Sequence, residues 1–181
     1  ALFHELVERD RSFHRRTRDI GHMHLELVHA YGVVGPTARA AGCILDVRLD
    51  APYAAYPQLT LRVVTAPEGD VWSRAHVRLE EIVQSLGLCL QVLRALPKGA
   101  LAEKAPRRVP EGEIVSRVEA PRGELLYYVR ANGSERPARV KVRTPTIPAL
   151  MALQKILPGL ETADIAAVIA GADLCVACAD R

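Results

Sequence analysis

Two cysteines near the end of the chain, Cys175 and Cys178, have the C-x-x-C spacing that lets two thiolates reach one centre. This spacing serves zinc, iron-sulfur clusters and other soft metals, and also redox-active disulfides. A zinc site needs two more ligands, and the other cysteines, Cys43 and Cys89, stand singly. We place Cys89 on the buried side of a long helix, where a small apolar thiol is ordinary. The spacing alone leaves metal ligation and its alternatives open.

A second segment whose residues could take part in chemistry is Glu119-Ala-Pro-Arg-Gly-Glu124. Pro121 fixes one backbone angle and Gly123 permits the close approach of another group. Arg122 between them is therefore held in a defined direction as a rigid, permanently charged donor, which can hydrogen-bond an anion or the ligands of a metal. The plainer alternative is that Arg122 pairs with Glu119 or Glu124 in a tight turn, and the segment alone favours that pairing.

The first half of the chain predicts helices separated by a long connection. Apolar stripes indicate one helix through Val7 and a second from Ile20 to Tyr31, with an arginine-rich link between them. Glycines and prolines make the range 32–57 mostly loop, and the range 59–64 is typical of a strand. Asp70 is placed to cap a long helix. Its apolar stripe consists of Leu79, Ile82, Val83, Leu86, Leu90 and Leu93.

The second half predicts a hairpin followed by two helices. The ranges 125–129 and 139–143 alternate as strands do and are joined around Asn132-Gly133, so we expect one packed face and one wet face. Thr146 and Thr162 begin helices, and Gly171 ends the second one. The fold class is therefore α+β: a single domain over residues 1–181, with a helical core of the opening and central helices and a small antiparallel sheet.

Composition narrows the classes of function. A chain of 181 residues is long enough for one domain with a proper core. The net charge of +3, from 24 basic and 21 acidic side chains, is too small to indicate a nucleic-acid partner. No apolar run approaches the roughly 20 residues that a bilayer-spanning helix needs. The cysteine spacings indicate a reducing compartment rather than a disulfide scaffold.

Taken together, several segments resemble one family. The sequence contains, in order, GPTARAAG, DVRLDAPYAAY, EGDVWSRAHVRLEEIVQS, EAPRGELLYYV, RVKVRTPTI and DLCVACADR. This order and register resemble the large-subunit family shared by membrane-bound nickel-iron hydrogenases and the hydrogenase-like subunit of respiratory complex I. The resemblance extends from about Arg16 to Arg181. EAPRG and the terminal C-x-x-C are its most specific parts, and it implies the α+β fold of that subunit.

The resemblance implies a site. Because the complex I subunit lacks the terminal cysteines, the pair places the chain nearer the hydrogenases, and Glu124 resembles the energy-converting, formate-hydrogenlyase type. Cys175 then corresponds to a terminal nickel thiolate and Cys178 to the thiolate that bridges nickel and iron, since soft thiolates suit both metals. Arg122 corresponds to the arginine that overhangs the two metals, and Asp173 to the acidic residue that supports the cysteine pair.

The chain departs from that family in two ways. Leu174 stands where proline is usual, and the N-terminal C-x-x-C that completes a nickel-iron centre is absent, since Cys43 and Cys89 cannot supply it. We therefore expect the C-terminal part of a longer subunit, with uncovered apolar surface, inactive alone and binding nickel weakly if at all. Arg181 resembles the terminus that a maturation protease leaves in the family.

The resemblance also implies partners and a location. We expect an iron-sulfur small subunit and membrane subunits, at the cytoplasmic face of a membrane, and reversible proton reduction to H₂ in the complete subunit. Two alternatives remain. One is a complex I-like subunit of an NADH:quinone oxidoreductase that lines a quinone site without nickel. The other is a non-catalytic assembly module in which Cys175 and Cys178 are relics.

Overall fold

Helices beside one small sheet make up the described part of the chain, residues 2–100 and 102–180 of a computed structural model. The helices are α1 (Leu2–Arg9), α2 (Arg11–Arg15), α3 (Leu25–Tyr31), α4 (Pro36–Arg39), α5 (Val47–Asp50), α6 (Val71–Ala95), α7 (Thr146–Ile156), α8 (Thr162–Ala172) and α9 (Val176–Ala179), with a 3-10 turn at Tyr56–Gln58. The strands are β1 (Gly112–Ala120), β2 (Gly123–Ala131) and β3 (Arg139–Arg143). The predicted α+β class is confirmed. Arg181 and the side chains of Leu2, Phe3 and Leu6 lie outside the described residues.

The core lies among α3, α7, α8 and the first turns of α6. Met23, Val28, Leu153 and Val168 are almost fully buried there and pack in one apolar cluster with Val71. The predicted core of the opening and central helices is therefore only partly correct, because α7 and α8 supply much of it. Among the described residues, no helix is both long and apolar enough to cross a bilayer.

Helix α6 begins as predicted, because the Asp70 carboxylate accepts a hydrogen bond from the Ser73 backbone N–H at 2.7 Å. Its buried residues are concentrated in its first two turns. The predicted apolar stripe was wrong as a core face, since Leu86 and Leu93 are 64% and 68% exposed. Cys89 is exposed as well, against our expectation. Nothing in the described residues covers this side of α6, so the expected uncovered apolar surface lies here.

The predicted strand at 59–64 is absent. The segment is extended, but side chains of α6 replace a neighbouring strand as its hydrogen-bond partner. The Gln84 side-chain amide accepts from the Arg62 N–H at 3.1 Å and donates to the Arg62 carbonyl at 3.0 Å. The Gln91 carbonyl accepts from the Thr60 N–H at 2.9 Å. A strand-like pattern therefore marks a segment that is bound to a helix surface.

Two helix ends differ from the prediction. The second helix begins at Leu25 rather than near Ile20, because Gly21 adopts a φ of 62° and breaks the helical path. It ends at Gly32, as predicted, with a left-handed residue at its C-cap. Helix α8 continues one residue past Gly171, and Asp173 takes the left-handed position there, with φ and ψ both 52°.

The sheet has the order β1-β2-β3 with antiparallel pairing. The β2–β3 hairpin is confirmed, and β1 was not predicted. In β1–β2 the pair Ala120 and Gly123 closes a two-residue turn at Pro121 and Arg122. The expected packed face is wrong for most of the sheet, since even Val140 is 47% exposed. Among the described residues, the sheet packs against the helices mainly at the end that carries the Pro121-Arg122 turn, which contacts the start of α4, α5 and the cysteine loop.

Candidate functional site

The cysteine pair lies where the chain leaves α8 and enters α9, a segment that we call the cysteine loop (residues 173–178); Cys178 is in the single turn of α9 itself. Asp173 reverses the chain after α8, and Cys175 is the N-cap of α9. Two threonines fix this loop: the Cys175 N–H donates to Thr146 Oγ1 at 3.3 Å, and Thr144 Oγ1 donates to the Cys178 carbonyl at 2.7 Å. Leu174, in place of the usual proline, packs against the core. The RTPTI segment thus positions both cysteines.

The two thiols lie side by side and differ in acidity. The backbone N–H of Cys178, then the Cys178 thiol and the Arg122 charge, lower the pKa of Cys175. The N–H groups act electrostatically, because the Cys175 side chain forms no capping hydrogen bond of standard geometry. The Cys178 thiol donates toward Cys175, and this raises the pKa of Cys178. The first proton is therefore lost from Cys175, and the second remains on Cys178.

Arg122 is anchored to the cysteine loop. Its Nε donates to the Asp173 carbonyl at 2.7 Å and its Nη2 to the Asp173 carboxylate at 3.1 Å. The alternative in which Arg122 pairs with Glu119 or Glu124 is therefore wrong. The structure brings together the four predicted site residues Arg122, Asp173, Cys175 and Cys178, because the Arg122 charge also acts on the two thiols.

Two glycines let the first motif touch the EAPRG turn. A Cβ on Gly35 would lie 2.3 Å from Gly123 Cα, and a Cβ on Gly123 would lie 2.7 Å from Gly35 N. Both residues have a positive φ, 73° and 127°. Since only glycine allows such an approach of two backbones, the GPTARAAG segment fixes the turn that carries Arg122.

A buried group of charges, which we call the arginine cluster, lies behind the turn. Its members are Arg39, Asp46, Arg48, Glu81 and Glu119. Arg39, 1% exposed, reaches Glu81 at 2.6 Å, Glu119 at 2.9 Å and Asp46 at 3.5 Å. It therefore ties together the first motif, helix α6 and the end of β1.

Two carboxyl groups of the arginine cluster, Glu119 and Asp46, have pKa values shifted in opposite directions. Burial raises the pKa of Glu119 and outweighs the nearby Arg39 charge. Burial also opposes the charge of Asp46, but the hydrogen bonds from Arg48 and the Arg39 charge prevail, so the pKa of Asp46 is lowered. No role for the arginine cluster was predicted from the sequence. The only available sign was that its charged residues lie within the segments that carry the family resemblance.

A cavity of about 380 Å³ lies beside the arginine cluster and reaches the cysteine loop at Asp173, but neither Cys175 nor Cys178 is among its lining residues. Its wall includes Arg39, Glu81, Glu119, Pro121 and Asp173. Half of the residues that line it are charged, whereas the groove along α6 is lined almost entirely by apolar groups. The space beside the candidate site is therefore bordered by both charged and apolar groups, and the carboxylates of Glu81, Glu119 and Asp173 are part of its wall.

Two adjacent thiols, one of them acidified, fit half of a four-thiolate nickel-iron site. The other cysteines add nothing, since Cys43 is buried in the core and Cys89 is exposed on α6. Within residues 2–100 and 102–180, no three His, Cys, Asp or Glu side chains are arranged to bind a metal ion. Two thiols that could bind a soft metal, Cys175 and Cys178, therefore lie beside the bridged pair Arg122 and Asp173.

Known proteins match along the whole chain. The family described as "Respiratory-chain NADH dehydrogenase, 49 Kd subunit" matches residues 1–109 and 104–181. The carbon monoxide-induced hydrogenase of Rhodospirillum rubrum is 42% identical over 92% of this chain and 46% of that protein. A subunit of the NADH-quinone oxidoreductase of Solibacter usitatus is 35% identical over 99% of this chain and 50% of that protein.

A solved structure has the same fold. The structure of the membrane-bound sulfane sulfur reductase, an archaeal respiratory membrane complex, contains a chain that matches with a TM-score of 0.92 and 32% identity. The match covers 99% of this chain and 50% of that one. The chain also spans about half the length of the curated relatives it matches. The resemblance inferred from the motifs is confirmed, and the chain belongs to the family of the 49 Kd subunit of respiratory-chain NADH dehydrogenase.

Proposed function

We propose that this chain is the C-terminal part of the large subunit of a membrane-associated nickel-iron hydrogenase, with Cys175 and Cys178 as two of the four thiolates of the metal centre. The observation that carries the proposal is the adjacency of the two thiols beneath the anchored Arg122. The resemblance implies that the complex I-like subunit lacks such a pair of cysteines. The hydrogenase relative from Rhodospirillum rubrum supports the same assignment.

The nickel-iron centre, when bound, supplies the place where H₂ is formed or cleaved. Cys175 offers a thiolate readily, because its pKa is lowered. Cys178 Sγ keeps its proton longest, so metal binding releases that proton. Arg122, fixed by two bonds to Asp173, keeps a permanent positive charge beside the sulfurs and favours their anionic form.

The remaining thiolates, and the partners, belong to the proposal as well. We assign the other C-x-x-C to a part of the parent protein outside this chain, since the relatives are about twice as long. Electrons arrive through an iron-sulfur small subunit, membrane subunits anchor the complex at the cytoplasmic face, and a maturation protease processes the subunit. The formate-hydrogenlyase type fits Glu124, which pairs with Arg117 and Arg143.

A second candidate is a nickel-free subunit of the quinone-reducing branch. It is favoured by the scaffold itself: the contact of Gly35 with Gly123 and the Arg122–Asp173 bridge need no cysteine side chain. Subunits of NADH-quinone oxidoreductases also match over nearly the whole chain. In that case Cys175 and Cys178 are relics, and the same site faces a different substrate.

Metal analysis of the full-length parent, made anaerobically with its maturation proteins, separates the two. The variants are Cys175→Ser and Cys178→Ser, and Cys89→Ser is the matched control because that thiol is exposed on α6, outside the cysteine loop. We expect about one nickel per chain in the parent and the control, and loss of nickel and H₂ oxidation in both loop variants. A folded, assembled parent without nickel would contradict the hydrogenase assignment and support the quinone branch.

A further inference from the structure

The long helix α6 carries a largely buried arginine, Arg78, whose guanidinium group reaches the end of α8. Its Nη1 donates to the carbonyls of Gly171 at 2.7 Å and Arg74 at 2.9 Å, and its Nη2 donates to Thr37 Oγ1 at 3.1 Å. The last carbonyls of a helix have no partner within it, so the bond to Gly171 satisfies one of them at the end of α8. Arg78 therefore ties α4, α6 and α8 together two residues before Asp173.

The remaining donor of Arg78, its Nε–H group, lies near Asp173. This nitrogen is buried and donates no hydrogen bond to any of the described residues, which is uncommon for a buried donor. The Asp173 Oδ2 atom lies 3.8 Å from it, too far for a hydrogen bond but close enough for a charge interaction. The other oxygen, Oδ1, accepts a hydrogen bond from Arg122 Nη2 at 3.1 Å. The two oxygens of this carboxylate therefore interact with two different arginines.

Asp173 is the main counter-charge of Arg78. Glu81, three residues further along α6, is already bound by Arg39 at 2.6 and 3.3 Å. Burial lowers the pKa of Arg78, and the Asp173 charge opposes this lowering more than the Glu81 charge does. Arginine stays charged inside proteins, so the attraction between Arg78 and Asp173 is permanent.

Packing alone does not fix the Asp173 side chain. It is 39% exposed and lines two cavities, the one of about 380 Å³ beside the arginine cluster and another of about 500 Å³ among α1, α2, α6 and α8. Arg78 lines the same two cavities. Because open space borders the carboxylate, its position depends on its charge partners, and without Arg78 it is free to turn away from Arg122.

We propose that Arg78 is a positioning residue of the metal site, which holds the Asp173 carboxylate so that Arg122 stays fixed beside the cysteine pair. Asp173 joins the two arginines, since Arg122 Nε also donates to the Asp173 carbonyl at 2.7 Å. The plainer alternative is that Arg78 only ties helices together. The inference rests on the proposed hydrogenase function, and it adds a residue of α6 that lies outside the EAPRG and C-x-x-C motifs.

The test is a double-mutant cycle in the parent hydrogenase, assembled in its complex. Arg78→Gln removes the charge but keeps an amide donor, and Asp173→Asn removes the partner charge at nearly constant size. We expect kcat for H₂ oxidation, counted per bound nickel, to fall about 10–100-fold in Arg78→Gln. Added to Asp173→Asn, Arg78→Gln causes little further loss, because the two groups act as one unit.

Two further variants separate charge from structure. Arg78→Lys keeps the charge but loses the planar fork that binds Gly171 and Thr37, and we expect it to restore most of the rate. Thr37→Val is the matched control, because it removes a structural hydrogen bond of Arg78 and leaves its charge, so kcat matches the parent. A structure of the Arg78→Gln complex gives a readout independent of activity. We expect Asp173 Oδ1 to lie beyond hydrogen-bonding distance of Arg122 Nη2 in it.

The outcomes are separable. Additive losses in the cycle, or a rate as low in Arg78→Lys as in Arg78→Gln, overturn the positioning role and leave the hydrogenase assignment intact. Absence of nickel from the parent overturns the assignment itself, and this inference with it. If Arg78→Gln does not assemble, the structure of the Arg78→Lys complex decides. An ammonium group within about 4 Å of the Asp173 carboxylate, with the bond from Arg122 kept, supports the role, and an ammonium turned away from Asp173 with kcat unchanged refutes it.

Discussion

Replacing Gly35 with alanine tests whether the first motif must touch the EAPRG turn through its backbone. Gly35 has φ 73° and ψ −156°, a region that is essentially restricted to glycine, so alanine is strained there by about 1–3 kcal/mol. The added Cβ would also lie 2.3 Å from Gly123 Cα and 2.4 Å from the Arg122 carbonyl oxygen. Both atoms belong to the backbone and cannot rotate away, which adds about 1–3 kcal/mol of overpacking.

We therefore expect the free energy of unfolding to fall by about 2–6 kcal/mol, the sum of these two costs. Urea unfolding of the subunit measures it. Gly133→Ala is the matched control, because Gly133 has a φ of 79° but a Cβ there meets no described atom within 4 Å. Its cost is that of a positive φ alone, about 1–2 kcal/mol. Equal losses in the two variants would refute the close contact as a requirement of the fold.

Two further predictions concern the cysteine loop and the long helix. In metal-free protein at neutral pH, iodoacetamide modifies Cys175 before Cys178, because the pKa of the first is lowered and that of the second is raised; peptide mass spectrometry follows the order, and equal rates would contradict it. Asp70→Ala lowers the free energy of unfolding by about 2 kcal/mol in urea, since buried Asp70 caps α6 and also binds the Asp19 N–H at 2.9 Å. The exposed cap Asp10 is the control: Asp10→Ala costs less than about 1 kcal/mol, and a similar loss in both variants would count against the special role of Asp70.

Local signals in the sequence were sufficient where the determinant is itself local. Asp70 could be placed as a helix cap because capping needs only a carboxylate and the next turn of backbone. The β2–β3 hairpin followed from alternation around Asn132-Gly133. The resemblance to a family grouped Arg122 with the cysteine loop, which no spacing rule could do for Arg122 and Asp173, 51 positions apart in the sequence.

Features that depend on distant partners could not be predicted. The apolar stripe of α6 indicates that one side prefers burial, but it carries no information on what covers that side. The range 59–64 alternates like a strand, yet its partners are the side chains of Gln84 and Gln91 on α6. An arginine is ordinarily exposed, so the sequence gives no sign that Arg39 is buried. It is almost fully buried because α4, α6 and β1 meet around it.

Most of the contacts that hold the cysteine loop in place do not involve the sulfur atoms of Cys175 and Cys178. The cysteine loop is held by Thr144, Thr146 and Arg122, whose hydrogen bonds reach backbone atoms and the Asp173 carboxylate. The Thr146 side chain and the Arg122 charge also act on the Cys178 thiol. A serine in place of either cysteine keeps the backbone contacts, so we expect the substitution to remove a thiol while most of the loop stays in place. The framework alone therefore fits both proposed functions, and the thiols of Cys175 and Cys178 are the feature that the metal analysis tests.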